Sequence, residues 1–411
     1  MIKKLTVQSN PELLALQQAQ AAAPVSAANP SQQGAPIQGI DPINLGGVAA
    51  PKPNETVRWN ALARDLVAKT KTVPPLASRI YSVLSEVQYE VLKAADSAGA
   101  QINPQRALRE ASIAALKALF PDEAATITAD AKKDAPGRSI PGQGSSSLSK
   151  KLGQQIAKAV VERRAGDGHL NKKGVVLPEP GPGVWQSAAN PPALPLLPIW
   201  GETRPVFMPQ LGEKGRPQCP NPPALNSPEF KRDLAEVRQL SDTRTAEQTA
   251  IAMKWAANLG TSTPPGMWNE IASSLITQYK LNNLDAAQVM HYLNGAVMDA
   301  GIGCWEVKYQ HWLARPTMVD AQITIPEGLG LPNFPSYTSG HATFSGAAAR
   351  VLGHFFKKDA DRLKQMADEA AMSRVYGGIH YRFDGTRGVE HGEKIADLAI
   401  RALRDEQKIL G

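Results

Sequence analysis

A proline- and glycine-rich passage at about residues 166–228 divides the 411-residue chain into two regions with the periodicity of amphipathic helices. In the first region, apolar residues recur at steps of three and four from Leu76 to Leu92, directly after Pro74 and Pro75. This spacing is typical of a helix with one buried face. Alternation typical of strands is scarce along the chain. We therefore predict an all-α fold with two helical bundles and long proline-rich loops.

Further helices are expected wherever the same periodicity returns between turn signals. The expected segments are 104–120 and 148–163 in the first region, and 245–258, 265–279, 284–300, a helix that opens near His341, 361–372 and 390–409 in the second. Helices of this kind are scaffold by default, so their periodicity indicates fold and not function.

The passage at 166–228 contains Trp185, Trp200 and Phe207 among its prolines. A disordered linker seldom contains such large apolar side chains. We therefore expect an ordered coil that wraps the helices and covers a pocket. A mobile linker between two helical halves is the alternative.

The first 56 residues contain no Phe, Trp or Tyr and are rich in Ala, Gln, Pro and Gly. So little apolar surface predicts a flexible tail. Polar residues and a proline between residues 8 and 12 interrupt the apolar run of a signal peptide, so a signal peptide fits poorly. The sequence leaves the localisation of a soluble protein open, and a periplasmic or secreted protein that is exported by another route is compatible with it. The predicted organisation is a tail at 1–56, a helical bundle at 57–165, the wrapping passage at 166–228 and a second bundle with the active site at 229–411.

The composition narrows the class of ligand only slightly. A formal net charge of +7 and a pI of about 9.2 favour acidic ligands, but no block of consecutive Lys or Arg indicates nucleic-acid binding. No run of about eighteen apolar residues predicts a transmembrane segment. Cys219 and Cys304 lack metal-ligand spacing, and the sequence leaves open whether they form a disulfide.

Three short polar segments lie in the last third of the chain, and the first runs from Lys308 to Pro316. If this segment is helical, Lys308 and Arg315 lie two turns apart on one face and direct two cations to one point. A solvated basic face is the ordinary alternative for such a pattern.

The second segment, Ser339-Gly340-His341, precedes an apolar helical run. Backbone N–H groups at the start of a helix and the Ser339 hydroxyl can bind an oxyanion. Gly340 permits close approach of a ligand to the backbone. A serine that only caps the helix is the alternative.

The third segment, SRVYGGIHYRFD from Ser373 to Asp384, is expected to be rich in turns. The Arg374 guanidinium can bind an oxyanion through two parallel hydrogen bonds. Asp384 follows His380 by four residues, so its carboxylate can accept one ring N–H and leave the other ring nitrogen as ligand or nucleophile. An ordinary surface loop is the alternative, but arginine, histidine and carboxylate together favour an anion site.

Together these segments resemble the three-part signature shared by vanadium-dependent haloperoxidases and the type 2 phosphatidic acid phosphatase (PAP2) superfamily. The matching residues, in order, are Lys308, Arg315, Pro316, Ser339, Gly340, His341, Ser373, Arg374, His380 and Asp384. Ordered agreement at this many positions is far more specific than any one segment. Thr338 replaces the proline that usually precedes the serine, which should alter turn stiffness more than chemistry. The resemblance implies a vanadium chloroperoxidase-like, all-α fold.

The resemblance also implies which residues would bind the oxyanion. Lys308, Arg315 and Arg374 would neutralise the oxygens of vanadate or phosphate. The Ser339 hydroxyl and the Gly340 N–H would donate hydrogen bonds to the same oxygens.

The remaining matched residues would carry the reaction. His380 would bond to vanadium or attack phosphorus, and Asp384 would orient its ring. His341 would be the acid–base group, and Lys308 would also polarise hydrogen peroxide in a peroxidase.

Three positions outside the signature bear on the choice between the two branches. Trp305 and Phe334 are similar in position to aromatic residues of the fungal chloroperoxidase halide pocket, although aromatic residues beside a helical core are usually packing. An aromatic wall would strip water from a halide. Glu247 is similar in chain position to a carboxylate that supports the acid–base histidine in that branch.

The sequence therefore predicts an enzyme, a vanadate-dependent haloperoxidase that uses hydrogen peroxide to oxidise halide to a hypohalous species. The alternative is a soluble PAP2-type acid phosphatase that hydrolyses phosphomonoesters through a phosphorylated His380 without a cofactor. A non-catalytic phosphate-binding or adaptor protein is the third interpretation. The sequence discloses no oligomeric state, and a homo-oligomer is compatible with it.

Overall fold

The computed structural model describes residues 54–133, 146–171, 174–189 and 192–410. Within these ranges the chain forms thirteen α-helices and no β-strand. The first five helices are α1 (Glu55–Lys69), α2 (Pro74–Ser97), α3 (Pro104–Leu119), α4 (Ala124–Lys133) and α5 (Ser146–Ala165). The other eight are α6 (Pro228–Thr243), α7 (Ala246–Lys254), α8 (Thr263–Gln278), α9 (Asn283–His311), α10 (Pro316–Val319), α11 (Gly340–Phe355), α12 (Ala360–Tyr376) and α13 (Arg382–Leu410).

The expected all-α fold with two helical bundles is confirmed, and most predicted helices differ from the observed ones only at their ends. α9 is the main exception, because it continues to His311 and does not end near residue 300. Gly301 and Gly303 resemble a helix break in the sequence. In the structure these glycines make room for Phe344 and for Ile395, respectively. The predicted tail falls outside the described residues except for 54–56, and α1 already begins at Glu55.

Helix α9 is the central helix of the molecule. Buried residues lie on all of its faces from Ala286 to Lys308, as expected for a helix surrounded by other helices. It packs against α2 on one side and against α11 and α13 on the other. The largest hydrophobic core extends along the chain from Trp59 to Leu403. The C-terminal end of α9 thus enters the second bundle from a rigid, buried support.

The proline-rich passage is an ordered coil over the described parts of 166–228, as predicted. Trp185 and Trp200 are buried. Asp299 of α9 accepts hydrogen bonds at 2.7–2.8 Å from three successive backbone N–H groups, those of Val206, Phe207 and Met208. A buried carboxylate with three such partners holds the coil against the central helix.

Helices α11 and α13 approach each other through glycines. A Cβ atom at Gly392 would lie 2.1 Å from the Thr343 carbonyl oxygen, and one at Gly346 would lie 2.3 Å from the Val389 carbonyl oxygen. Only glycine permits backbones this close. The contact brings the first turns of the two helices together.

Two smaller findings limit other interpretations. No helix in the described part of the chain is long and apolar enough to cross a bilayer. Cys219 and Cys304 are both free thiols.

Candidate active site

The three polar segments of the sequence converge at one buried place in the second bundle. Lys308 comes from the last turn of α9, Arg315 from the loop after it, and Ser339 from the start of α11. Arg374 lies in the last turn of α12, and His380 lies between α12 and α13.

The prediction that one helix places Lys308 and Arg315 on a common face is wrong. α9 ends at His311, because Trp312 adopts a left-handed backbone conformation with a φ of 49°. Arg315 precedes a proline, which disfavours helical backbone, and it caps the short helix α10 in an extended conformation. The two cations still meet, since the Lys308 ammonium and the Arg315 guanidinium each lie 5.1 Å from the Phe334 ring centre.

Lys308 is fully buried and directs its ammonium at backbone oxygens. Its Nζ donates hydrogen bonds to the carbonyls of Pro335 at 2.8 Å, Ser336 at 2.9 Å and Thr338 at 2.5 Å. Burial and the nearby Arg315 charge lower the Lys308 pKa to about 8, so the side chain stays charged at neutral pH. Thr338, the residue that replaces the usual proline, thus supplies one of these acceptors through its backbone.

The two arginines are also buried. Arg315 donates to the carbonyls of Phe334 at 3.1 Å and Ile379 at 2.8 Å. Arg374 donates to the Ser373 hydroxyl at 3.0 Å and to the carbonyl of Ala252, near the end of α7. Burial lowers the pKa of Arg315 to about 10, and burial together with Arg315 lowers that of Arg374 to about 9.

These three cations make no direct ion pair among the described residues, although, against the lowering by burial, the Asp384 charge raises the pKa of Lys308 and of Arg315 from a distance. Among the described residues, none of them lies within 4 Å of a carboxylate oxygen, and Arg315 Nη2 has no hydrogen-bond partner. Burial of unpaired positive charge is costly unless an anion joins the site. The donor set therefore fits a compact anion with several oxygens, such as vanadate or phosphate.

His380 and Asp384 form the predicted pair, although only Asp384 lies within α13. His380 Nδ1 lies 2.8 Å from Asp384 Oδ2, and His380 Nε2 lies 3.4 Å from Arg315 Nη1. A guanidinium can only donate, so Nε2 is the acceptor nitrogen and Nδ1 carries the proton. Burial and the Arg315 charge lower the His380 pKa well below its ordinary value, which keeps the ring neutral. This tautomer presents an Nε2 lone pair beside the cations.

Asp384 is the negative member of the pair at neutral pH. Burial raises its pKa to about 6, opposed first by a hydrogen bond from Ser336. Its Oδ2 atom accepts from Ser336 Oγ at 2.5 Å and from the Tyr381 N–H at 3.3 Å. No hydrogen-bond partner of Oδ1 is found among the described residues.

The start of α11 faces the same cations. Ser339 caps the helix, since its Oγ accepts from the Ala342 N–H at 3.4 Å, and its own N–H donates to the Asp384 carbonyl at 3.0 Å. The next N–H groups, at Gly340 and His341, belong to the first turn and have no acceptor within the helix. A Cβ at Gly340 would come no closer than 3.5 Å to another atom, so packing does not require glycine there. Close approach of a ligand remains a reason for it.

His341 is half-buried and has one unpartnered ring nitrogen. No partner for its Nε2 is present in the described part of the chain. Burial and the Arg374 charge lower the His341 pKa well below the ordinary value, against the opposing effect of backbone carbonyls at Ala256 and Trp255. A neutral imidazole is suited to accept or return a proton at this position.

Trp305 and Phe334 form an aromatic wall beside the cations. Their rings lie 5.1 Å apart, and Trp305 Nε1 donates to the Leu196 carbonyl at 3.1 Å. Leu196 belongs to the wrapping coil, so the coil fixes one side of this wall. Phe344 packs on the far side of Trp305, with ring centres 6.4 Å apart.

Glu247 does not join the site. It is exposed in the first turn of α7, and no hydrogen bond or ion pair between Glu247 and His341 occurs among the described residues. The other end of α7 faces the site instead, through the backbone at Ala252, Trp255 and Ala256. The prediction of Glu247 rested on its position along the chain, which does not indicate which end of α7 faces the site.

The sequence interpretation missed Ser336 and the carbonyl groups that surround the cations. A serine two residues after Phe334 belongs to no recognised motif. Every residue has a backbone carbonyl, so the sequence does not indicate which carbonyls face the cations. Neither could have been identified without the fold.

Comparison with known proteins points to one superfamily. Residues 360–408 match the family model for the second helical-bundle domain of vanadium chloroperoxidase (VCPO). The vanadium chloroperoxidase of Curvularia inaequalis is 30% identical over 146 residues, which cover 28% of this chain and 24% of that protein. The non-specific acid phosphatase of Providencia stuartii is 26% identical over 190 residues, which cover 45% of this chain and 71% of the phosphatase.

The fold comparison extends over most of the chain. A bacterial vanadium-dependent iodoperoxidase superposes with a TM-score of 0.73 at 24% identity, covering 84% of this chain and 95% of that one. In contrast, the sequence match to the Curvularia enzyme spans about a quarter of that protein. The signature residues and the matched domain are similar to those of the superfamily that contains the vanadium-dependent haloperoxidases and the PAP2-type acid phosphatases, and the fold agrees with this similarity.

Proposed function

We propose that this protein is a vanadate-dependent haloperoxidase that uses hydrogen peroxide to oxidise halide to a hypohalous species. The observation that carries the proposal is the Trp305–Phe334 wall, which lies against the Lys308 and Arg315 charges. A halide needs positive charge and the removal of its water shell, and an aromatic surface beside two buried cations supplies both. A phosphatase needs the cations but not the aromatic surface.

Vanadate would be bound by the buried cations and by the first turn of α11. Arg315, Arg374 and Lys308 would neutralise its oxygens, with Ser339 and the Gly340 N–H as further donors. His380 would bond through Nε2. When bound, vanadate would supply an electrophilic centre that activates hydrogen peroxide for oxygen transfer to halide.

The protein's own contribution is charge, orientation and proton transfer. Lys308 already donates to three carbonyls, so it acts on peroxide mainly through its charge unless one of these bonds is exchanged. The neutral His341 would take a proton from peroxide and return it to the leaving oxygen. Asp384 keeps the Nδ1 proton of His380 in place, so Nε2 stays available.

A soluble acid phosphatase is the second candidate. The match to the Providencia phosphatase, which spans 71% of that enzyme, favours it. The same residues would then hold a phosphomonoester, His380 Nε2 would attack phosphorus, and His341 would protonate the leaving alcohol, without a cofactor.

A paired assay separates the candidates. The purified protein is incubated with orthovanadate, hydrogen peroxide and chloride, bromide or iodide while halogenation of a reporter is followed. Hydrolysis of an aryl phosphate without vanadate is measured in parallel. We expect halogenation and little phosphate release. Phosphate release without halogenation at any halide or pH would support the phosphatase, and neither activity together with no vanadate affinity would support the adaptor interpretation.

Two variants tie the activity to the site. His380→Ala should abolish the observed activity, because it removes the only ring nitrogen assigned to bond the anion. His354→Ala, at the other end of α11, is the matched control and should retain it. Survival of activity in His380→Ala would refute the site assignment.

A further inference from the structure

Ser336 lies outside the signature segments, yet its side chain contacts both members of the His380–Asp384 pair. Its hydroxyl donates to Asp384 Oδ2 at 2.5 Å and lies 3.3 Å from His380 Nδ1. His380 Nδ1 lies 2.8 Å from the same Asp384 oxygen. Three polar atoms therefore form a closed triangle behind the His380 ring.

The direction of each hydrogen bond in this triangle is determined by the donors available. Asp384 is an acceptor in its ionised form, so the Ser336 hydroxyl proton points to Oδ2. With its proton committed, Ser336 Oγ can only accept from His380. The Nδ1 proton thus has acceptors on both sides, while Nε2 faces the Arg315 guanidinium at 3.4 Å.

The backbone of Ser336 is held independently of its side chain. Its N–H donates to the Leu313 carbonyl at 2.9 Å, and its carbonyl accepts from Lys308 Nζ at 2.9 Å. The residue therefore links the lysine side of the site to the histidine side. Replacement of the hydroxyl should leave this backbone in place, because both contacts use main-chain atoms.

From this geometry we infer that Ser336 is a positioning residue that fixes the rotation of the Asp384 carboxylate and, through it, the Nδ1-protonated tautomer of His380. Asp384 Oδ1 has no partner among the described residues, so Ser336 is the one described side chain, apart from His380 itself, that holds the carboxylate. Without the hydroxyl, the carboxylate can rotate and His380 can populate the tautomer with a proton on Nε2. That tautomer cannot bond an anion centre through Nε2.

The inference rests on anion binding by His380, which both candidate functions share, and it is tested without turnover. In Ser336→Ala, nitrogen-15 NMR of histidine-labelled protein without anion should show His380 Nε2 partly protonated, whereas the unaltered protein shows it unprotonated. Affinity for orthovanadate, whose vanadium accepts the Nε2 lone pair, should fall about 10- to 100-fold by titration calorimetry, the loss typical when an outer hydrogen-bond partner of a metal-ligating histidine is removed.

Two further variants control the result. Ser345→Ala removes another buried hydroxyl, the acceptor of Trp268 Nε1 at 2.8 Å, and should change neither readout. Ser336→Cys keeps a similar shape with a weaker hydrogen-bond donor, so it should cause an intermediate loss of anion affinity. This variant replaces Ser336→Ala in the test if Ser336→Ala does not fold. An unchanged His380 tautomer in the folded Ser336 variants overturns the inference, whether or not orthovanadate affinity falls. Because neither readout uses halide or peroxide, failure of the peroxidase assay leaves this result interpretable.

Discussion

At the scale of single residues, the cations of the site donate their hydrogen bonds mainly to backbone carbonyls and to no carboxylate. Lys308, Arg315 and Arg374 together donate to six carbonyls, those of Pro335, Ser336, Thr338, Phe334, Ile379 and Ala252. Carbonyl dipoles solvate positive charge without cancelling it, so the site keeps a field that attracts anions. This arrangement also leaves the pKa of each cation below its ordinary value, because dipoles only partly replace water.

The lowered Lys308 pKa predicts a pH dependence of anion binding. Lys308 loses its proton near pH 8 and not near the ordinary 10.5. Affinity for sulfate, whose charge is constant in this range, should therefore fall by up to about tenfold between pH 8 and 9, and more steeply above pH 9 as Arg374 also loses its proton. The stability of the anion-free protein should instead rise between pH 8 and 10.5. In this range the folded protein has lost the buried Lys308 charge, whereas the unfolded chain still holds the proton. Calorimetric titration and thermal unfolding across this range measure the two effects.

A variant without the Lys308 charge tests whether this lysine causes the pH dependence of sulfate binding. Lys308→Met should bind sulfate weakly at pH 7 and show no further loss between pH 7 and 8.5, whereas Lys364→Met on the surface of α12 should behave as the unaltered protein does. A fall of the same steepness in Lys308→Met would assign the titration to another group.

At the scale of elements, the site depends on how closely α11 and α13 pack. The first turn of α11 supplies Ser339 and His341, and the first turn of α13 supplies Asp384. Glycines at the crossing set the spacing between these two turns. Neither helix by itself contains the site. The Ser339 N–H donates to the Asp384 carbonyl at 3.0 Å, so the starts of the two helices are in direct contact.

Gly392→Ala should destabilise this crossing. The added Cβ would lie 2.1 Å from the Thr343 carbonyl oxygen, and neither backbone can move without disturbing the core. We expect a loss of about 1–3 kcal/mol in unfolding free energy, measured by urea denaturation. Gly385→Ala in the same helix is the control, since its nearest contact is 3.4 Å, and helix propensity favours it by about 0.5–1 kcal/mol. Equal effects of the two substitutions would mean that the crossing is not tight.

At the scale of the whole molecule, the wrapping coil connects the first bundle, the central helix and the aromatic wall. Asp299 binds the coil at residues 206–208, and the Leu196 carbonyl accepts from Trp305 Nε1. The aromatic surface assigned to halide is therefore supported from outside the second bundle. A substitution that loosens the coil should therefore shift the Trp305–Phe334 wall and so alter the site.

Asp299→Asn tests the connection. The amide leaves one oxygen for three buried N–H donors and adds a donor of its own, so we expect about 2–3 kcal/mol of destabilisation and faster limited proteolysis within 166–228. Asp397→Asn, which alters an exposed ion pair with Arg350, is the control and should change neither. A normal cleavage rate in Asp299→Asn would show that other contacts hold the coil.

The sequence by itself determined the fold class, and it predicted most of the residues that the structure brings together at the candidate site. Helical periodicity reports burial of one face, which is a local property, and the order of Lys308, Arg315, Ser339, Arg374 and His380 survives in the chain whatever the tertiary structure. Local reasoning failed where a contact spans distant elements. The exposed position of Glu247 and the contacts of Ser336 depend on packing between segments far apart in the sequence, and no motif marks the end of α9 at His311. Only the tertiary structure brings Ser336 behind His380 and the Ala252 carbonyl to Arg374, because side-chain and backbone partners are selected by distance in space and not by spacing along the chain.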